Sequence, residues 1–93
     1  MQLNWKSITP SNSPKFMVTG TELNQAIVPG FNGRYAIVEV RRYDEDRHAD
    51  RGYSIRDAET ISDEDIRNGK KPKQIAYFKY EDDAINFIKT LKL

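Results

Sequence analysis

The chain has 93 residues, 15 basic and 14 acidic side chains, a net charge of +1 and no cysteine. This length predicts a single domain over residues 1–93, which buries about 60% of the surface that its unfolded chain exposes. Without cysteine, a disulfide framework and a thiolate metal site are excluded, so the fold must depend on packing within one copy or against a second copy.

The first third of the chain predicts short strands separated by loops. Residues 2–8 alternate along a strand and contain the only tryptophan, Trp5, which we interpret as a core anchor. Residues 9–14 include two prolines and three small polar residues, which favour a loop. Residues 15–19 predict a second strand, whereas residues 21–28 fit either a strand or a helical turn.

The stretch at 33–43 is the one around which the fold is organised, because it is the longest run of β-forming residues. Asn32 and Gly33 give a strong hairpin signal, since both tolerate a positive φ. Ala36, Val38 and Val40 form one face of this strand, and Tyr35, Ile37, Glu39, Arg41 and Tyr43 form the other. The first face is the more uniformly apolar, and we expect it to meet a helix.

The second half alternates charged connections with strands. Residues 44–52 are mostly charged and predict a long exposed loop, and residues 53–60 resume as a strand. Residues 62–69 begin with an N-cap serine followed by acidic residues and end in glycine, which predicts a short helical turn. The basic residues around Pro72 at 70–73 predict a solvated connector, and residues 74–80 predict another strand.

Residues 81–93 predict the one long helix, because acidic residues open it, lysines close it and an apolar stripe follows helical spacing. The predicted fold is therefore α+β: an antiparallel sheet of about 4–6 strands with one C-terminal helix packed on one face. The predicted core consists of Trp5, Phe16, Val18, Val38, Val40, Ile55, Ile75, Ala84, Phe87, Ile88 and Leu91.

Targeting signals give a simple expectation for location. No apolar run approaches the roughly 18 residues of a membrane helix, and the first residues do not resemble a signal peptide. The sequence therefore predicts a cytoplasmic protein without a membrane partner.

A metal site is one alternative in the charged loop. Residues 44–50 combine several carboxylates with the only histidine, His48, and oxygen-rich loops can bind calcium. The spacing does not match an EF-hand, and Arg47 and Arg51 add positive charge. A solvated loop tip is the favoured interpretation, with no metal and no cofactor.

Catalysis is a second alternative. Glu39, Asp57 and Glu59 could act as acid and base across neighbouring strands, but nearby arginines make cross-strand ion pairs the ordinary explanation. The chain has no nucleophile motif, no phosphate-binding loop and no dinucleotide fingerprint. We therefore expect a protein that is not an enzyme.

Arginine and tyrosine are concentrated in the middle of the chain. Residues 34–59 hold six arginines, three tyrosines and no lysine, together with seven acidic residues. Arginine and tyrosine are common at protein–protein interfaces and in single-stranded nucleic-acid sites. The candidate partner-binding residues are Arg41, Arg42, Tyr43, Arg51, Tyr53 and Arg56.

Three interpretations of this set stay open: ordinary charged strand edges, a protein interface and a nucleic-acid surface. The acidic residues in the same stretch weigh against nucleic acid, because a binding groove needs an excess of positive charge. We favour a small interaction module that docks on a protein partner, or on itself as a homo-oligomer, through the sheet's open face. Single-stranded nucleic-acid binding by the same face is the alternative.

Overall fold

The computed structural model describes residues 2–8, 22–43, 49–70 and 72–91. The strands are β1 (Lys6–Ser7), β2 (Glu22–Ile27), β3 (Tyr35–Tyr43), β4 (Ala49–Asp57) and β5 (Lys73–Phe78). The helices are α1 (Asp63–Arg67) and α2 (Glu81–Ile88), and a 3-10 turn spans Ala58–Thr60. No helix within these ranges has the length and apolar character needed to cross a membrane.

The five strands form an antiparallel sheet in the order β1-β2-β3-β4-β5, so each strand pairs with its neighbours in the sequence. Together with α2 this confirms the predicted α+β fold. The ambiguous stretch at 21–28 contains β2. The predicted strand at 15–19 lies outside the described residues.

The turn before β3 has the predicted chemistry. Asn32 and Gly33 adopt φ values of 53° and 79°, and the N–H of Arg34 donates to the carbonyl of Phe31 at 3.1 Å. Glycine tolerates this left-handed conformation without steric cost, and asparagine tolerates it better than most residues. The turn sets β3 antiparallel to β2.

Strand β4 begins earlier than the sequence predicts. The predicted loop at 44–52 is wrong for its last four residues, because Ala49 pairs with Tyr43 and the ladder continues from there to Asp57. The side chains of Asp50 and Arg51 are exposed. Backbone hydrogen bonds do not depend on side-chain polarity, so a strand can continue through charged residues where its face meets water. Residues 44–48 lie outside the described part.

Both helices start where the sequence predicts. Ser62 and Asp65 form a reciprocal cap on α1, since each side chain accepts a hydrogen bond from the other's backbone N–H at 3.1 Å. Helix α2 begins at Glu81 but ends at Ile88, earlier than the predicted 81–93. Beyond Ile88 the backbone N–H groups of Thr90 and Leu91 donate to carbonyls three residues earlier, as in a 3-10 helix. The Thr90 hydroxyl also donates to the Phe87 carbonyl at 2.6 Å.

The apolar side chains form two clusters, one on each side of the sheet. We call the side on which α2 packs the helix side and the opposite side the far side. The buried residues of the helix-side cluster are Val28, Tyr35, Ile37, Ile55, Ala84 and Ile88, with Trp5, Phe87 and Leu91 among those packed against it. The buried residues of the far-side cluster are Ala36, Val38, Val40 and Ala58.

This arrangement corrects the predicted orientation of β3. Helix α2 packs on the face that carries Tyr35 and Ile37, and not on the face that carries Val38 and Val40. The larger side chains fill the space between sheet and helix, and the eight-residue helix leaves the polar end of the same face uncovered. Uniform apolar character therefore did not identify the helix-binding face.

Ile75 was also predicted in the core, but its exposed fraction is 39%. The pairing of β5 shifts by one residue here: Ala76 lies opposite Ile55, whereas Gln74 lies opposite Arg56. Ile75 is the extra residue of this bulge and is out of step with the alternation that buries its neighbours. The predicted core residues Phe16 and Val18 lie outside the described part of the chain.

The absence of a side chain at Gly52 leaves room for the ring of Tyr77 on the far side of the sheet. Gly52 is buried on β4, and a Cβ added at this position would overlap the ring of Tyr77. We expect Gly52→Ala to lower the free energy of unfolding by about 1–3 kcal/mol, because the ring must shift to make room. Urea unfolding measures this cost.

The same substitution made in a Tyr77→Ala background provides the control. If overlap with the ring is the cause, the cost of Gly52→Ala becomes much smaller once the ring is removed. An equal cost in the two backgrounds would contradict this explanation.

Candidate interaction surface

Two arginines face each other across β3 and β4. Arg41 lies directly opposite Arg51 in the register, and both side chains are exposed on the helix side, beyond the part of the sheet that α2 covers. Directly opposite residues in an antiparallel pair have Cβ atoms about 4.5–5.5 Å apart, so like charges there are destabilising. We call these two residues the arginine pair.

A buried carboxylate holds one member of this pair. Arg51 Nη1 lies 3.5 Å from Glu39 Oε1, and the side chains are 64% and 11% exposed, respectively. Glu39 also accepts hydrogen bonds from Asn24 Nδ2 at 3.0 Å and from the Tyr53 hydroxyl at 3.4 Å. We call Asn24, Glu39, Arg51 and Tyr53 the Glu39 network. Among the described residues, no carboxylate forms an ion pair with Arg41.

Tyr53 is fixed from both ends. Its ring meets Trp5 edge-on with the centroids 6.0 Å apart, and the indole N–H of Trp5 donates to Glu81 Oε1 at 3.0 Å. Burial, and secondarily the charge of Glu39, raises the pKa of the Tyr53 phenol, so the hydroxyl stays protonated and can donate. Tyr53 therefore lies beside Arg51, in contact with both Trp5 and Glu39.

Arg56 does not belong to this surface. It pairs with Ala36 in the register and therefore lies on the far side. Its Nη2 lies 3.0 Å from Glu22 Oε1, with side chains only 11% and 7% exposed, and its Nε donates to Ser54 Oγ at 3.3 Å. The prediction that Arg56 shares an open face with Arg51 and Tyr53 is wrong, because alternation along β4 separates them.

Arg42 and Tyr43 complete the predicted set. Their backbone lies in β3, paired with Asp50 and Ala49, and their side chains lie outside the description. Of the six predicted residues, the structure thus brings together three, which are Arg41, Arg51 and Tyr53.

Glu39 lies apart from the other two carboxylates considered for catalysis, and those two share Arg34. Glu39 lies opposite Tyr53, whereas Asp57 lies opposite Tyr35, so the two acids are about 13 Å apart along the sheet. Arg34 holds Asp57 by two hydrogen bonds of 3.0 Å and lies 3.3 Å from Glu59 Oε2. Each acid already takes part in a structural contact, which agrees with the ordinary explanation of ion pairing.

A metal site and a surface cavity are the other candidates considered. No group of three or more metal-ligating side chains occurs within the described ranges, and His48 lies outside them. A cavity of about 250 Å³ on the far side is lined by Asn4, Lys6, Gln25 and Ile27. Gln25 Oε1 is buried there without a hydrogen-bond partner in the described part of the chain.

Two exposed residues near the end of β5 were not predicted. Lys79 Nζ lies 3.9 Å from Asp50 Oδ2 on β4 and 5.7 Å from the ring centroid of Tyr80, whose exposed fraction is 62%. An aromatic residue directly before an acidic helix start was the available signal, but sequence alone does not give its exposure.

The buried pair of Arg56 and Glu22 generates a stability prediction. Arg56→Ala removes a cation that lies 3.0 Å from the buried Glu22 carboxylate and should lower the free energy of unfolding by about 3–5 kcal/mol. Replacing both residues, Glu22→Leu with Arg56→Met, should cost less than the single change, because no charge stays buried. Urea unfolding compares these variants with Arg67→Ala, an exposed control. A double variant less stable than Arg56→Ala would contradict the pairing argument.

Asp57 generates a pH prediction. The hydrogen bonds from Arg34 lower the pKa of this carboxyl; burial opposes the shift, and the backbone N–H of Glu59 adds to it. Because the pKa is lower in the folded state, the ionised group stabilises the fold fully above the unfolded value of about 3.9. This stabilisation is lost as the pH falls through the folded-state pKa.

We therefore expect Asp57→Asn to be less stable than the wild type at neutral pH, with a difference that closes in strongly acidic solution. Denaturant titrations at a series of pH values measure the difference. Asp82→Asn, at an exposed acid of α2, is the control. A difference that stays constant down to the acid end would show that the charge of Asp57 is not what stabilises the fold.

Comparisons with known proteins give no assignment. No protein-family model matches the chain, and searches among curated proteins and among solved structures found no match. The proposals that follow depend on the contacts, the register and the charges described above.

Proposed function

We propose that this protein is a small, non-enzymatic interaction module that docks on an acidic segment of a protein partner through the arginine pair. The observation that carries the proposal is the register position of Arg41 directly opposite Arg51, with both side chains exposed. Two like charges kept side by side cost stability. A partner carboxylate placed between them removes the repulsion and gains charge-assisted hydrogen bonds.

Contacts around the arginine pair orient the side chains that a partner would meet. Arg51 is oriented by Glu39, and Tyr53 is held by Glu39 and Trp5. Side chains that are already ordered lose less entropy when a partner binds. Arginine and tyrosine are also among the residue types that dominate binding energy at interfaces.

The surroundings of the arginine pair weigh against single-stranded nucleic acid. The carboxylate of Glu39 lies 3.5 Å from Arg51, whereas a nucleic-acid groove needs an excess of positive charge. Tyr53 is half-buried against Trp5, whereas bases stack on exposed aromatic rings. Nucleic-acid binding stays the alternative and is one arm of the test.

The test uses a fluorescently labelled peptide of alternating Asp, Glu and Gly and a random single-stranded oligonucleotide of equal charge. Anisotropy is measured at low and near-physiological salt. Since a hydrogen bond to a charged group contributes about 1.5–3 kcal/mol, Arg41→Ala with Arg51→Ala should weaken peptide binding by at least about tenfold. Lys6→Ala with Arg67→Ala removes two exposed cations elsewhere and is the matched control.

A stability measurement accompanies the binding test. Arg41→Ala alone should raise the free energy of unfolding by about 0.2–1 kcal/mol, because it removes a like-charge contact. If the two double variants weaken peptide binding equally, the binding depends on overall charge and not on the arginine pair. Oligonucleotide binding that weakens steeply with salt, in the absence of peptide binding, would replace the proposal with the alternative.

A further inference from the structure

The arginine pair lies on a two-stranded ribbon at one end of the sheet. Strand β2 pairs with β3 as far as Val40, and β5 pairs with β4 from Tyr53 onwards. Beyond these two points β3 and β4 pair with each other, and no other strand of the described ranges pairs with them there. The ribbon therefore projects past the rest of the sheet, where a second molecule can reach Arg41 and Arg51.

The start of α2 carries the opposite charge on the same side of the sheet. Glu81 accepts a hydrogen bond from the indole of Trp5, whose ring contacts Tyr53, so this end of α2 lies next to the arginine pair. Asp82 and Asp83 follow and are exposed. We call Glu81, Asp82 and Asp83 the acidic start. The N-terminus of a helix contributes only about half a positive charge, so the three acids form a negative patch.

Other charges nearby do not cancel this patch. Lys79, the nearest cation along the chain, lies 3.9 Å from Asp50 Oδ2 and offsets the charge of that residue. Lys89 stands at the opposite end of α2. Within the described ranges, no cation forms an ion pair with Asp82 or Asp83. The acidic start is therefore available to positive charge from another molecule.

The two patches point the same way within one copy. Ala84 and Ile88 are buried against the sheet, and Asp82 lies roughly 200° around the helix from Ala84, so it points away from the sheet. The arginine pair also points away from the sheet, on the same side. Its one ion pair within the described ranges joins Arg51 to Glu39 and not to the acidic start. When a second copy is placed face to face about a twofold axis, however, each positive patch lies against a negative one.

We propose that the acidic segment bound by the arginine pair is the acidic start of a second copy, and that two molecules associate face to face in this way. The ribbon of each copy lies on the start of α2 of the other, so the same contact is made twice. Tyr80 precedes the acidic start, is 62% exposed and is of a residue type enriched at interfaces, so it adds apolar area. The inference rests on the proposed function, to which it adds the source of the segment.

Charge reversal tests the pairing, with association measured by sedimentation velocity over a wide concentration range at low and near-physiological salt. Arg41→Glu and Asp83→Lys each place like charges together at both contacts of the dimer, and each should weaken it by about tenfold or more. Combining the two changes in one chain restores opposite charges at both contacts and should restore association. An equimolar mixture of the two single variants should form a heterodimer for the same reason.

Lys6→Glu and Glu64→Lys are the matched controls. Each makes the same change in net charge as one of the test variants, at an exposed residue of β1 or α1. Both controls should leave the dimer unchanged, because these residues lie outside the proposed contact. Circular dichroism checks that every variant is folded.

The labelled acidic peptide separates this inference from the proposed function. Excess peptide should dissociate the dimer, because it competes with the second copy for the arginine pair. A protein that binds the peptide but stays monomeric throughout the concentration range overturns the inference and leaves the proposed function, with a different protein as the partner. A protein that neither dimerises nor binds the peptide overturns both. A dimer that excess peptide does not dissociate, that the controls weaken as strongly, or that the combined variant does not restore also overturns the inference.

Discussion

The backbone ladder between β3 and β4 decides where every side chain of interest lies. Both strands have nine residues and pair along their whole length. Because successive side chains point to opposite sides of a sheet, this register assigns Ile37 and Ile55 to the helix side and Val38 and Ser54 to the far side. The same register places Arg41 opposite Arg51, and the bulge in β5 is defined by its pairing with β4.

The ladder also shows why one residue type performs two roles. Arg51 and Arg56 lie five positions apart on β4, so they are on opposite sides of the sheet. Arg56 is almost buried beside Glu22, where its long side chain can cover apolar surface while its charge is neutralised. Arg51 is largely exposed, and its carboxylate partner Glu39 is shared with Asn24 and Tyr53. Burial of the charge, and not the residue type, separates a structural arginine from one available to a partner.

Much of the fold could be predicted from local signals. The Asn32–Gly33 turn, the Ser62 cap and the acidic start of α2 each depend on a few adjacent residues, and each lies where the sequence predicts. The orientation of β3 could not be predicted in the same way. Both of its faces are apolar at one end, and the choice between them depends on how side chains of different size fill the space beneath a helix that is distant in the sequence.

The candidate site was predicted only in part, for a related reason. Composition indicates that arginine and tyrosine are enriched, but the side of the sheet each occupies depends on strand boundaries. Moving the start of β4 from Tyr53 to Ala49 places Arg51 in the ladder opposite Arg41. The contact of Arg56 with Glu22 joins residues 34 positions apart, and no local pattern specifies that pairing. The bulge at Ile75 could not be predicted from the sequence either, because the residues on both sides of it favour a continuous strand.

Packing on both sides of the sheet leaves little of its central ladder for recognition. Buried residues on β3 and β4 contribute to both clusters, and of the side chains on these two strands that the structure describes, only those of Arg41, Asp50 and Arg51 are exposed. The arginine pair therefore lies where the packed clusters end, so a partner that docks there meets charge without disturbing the core.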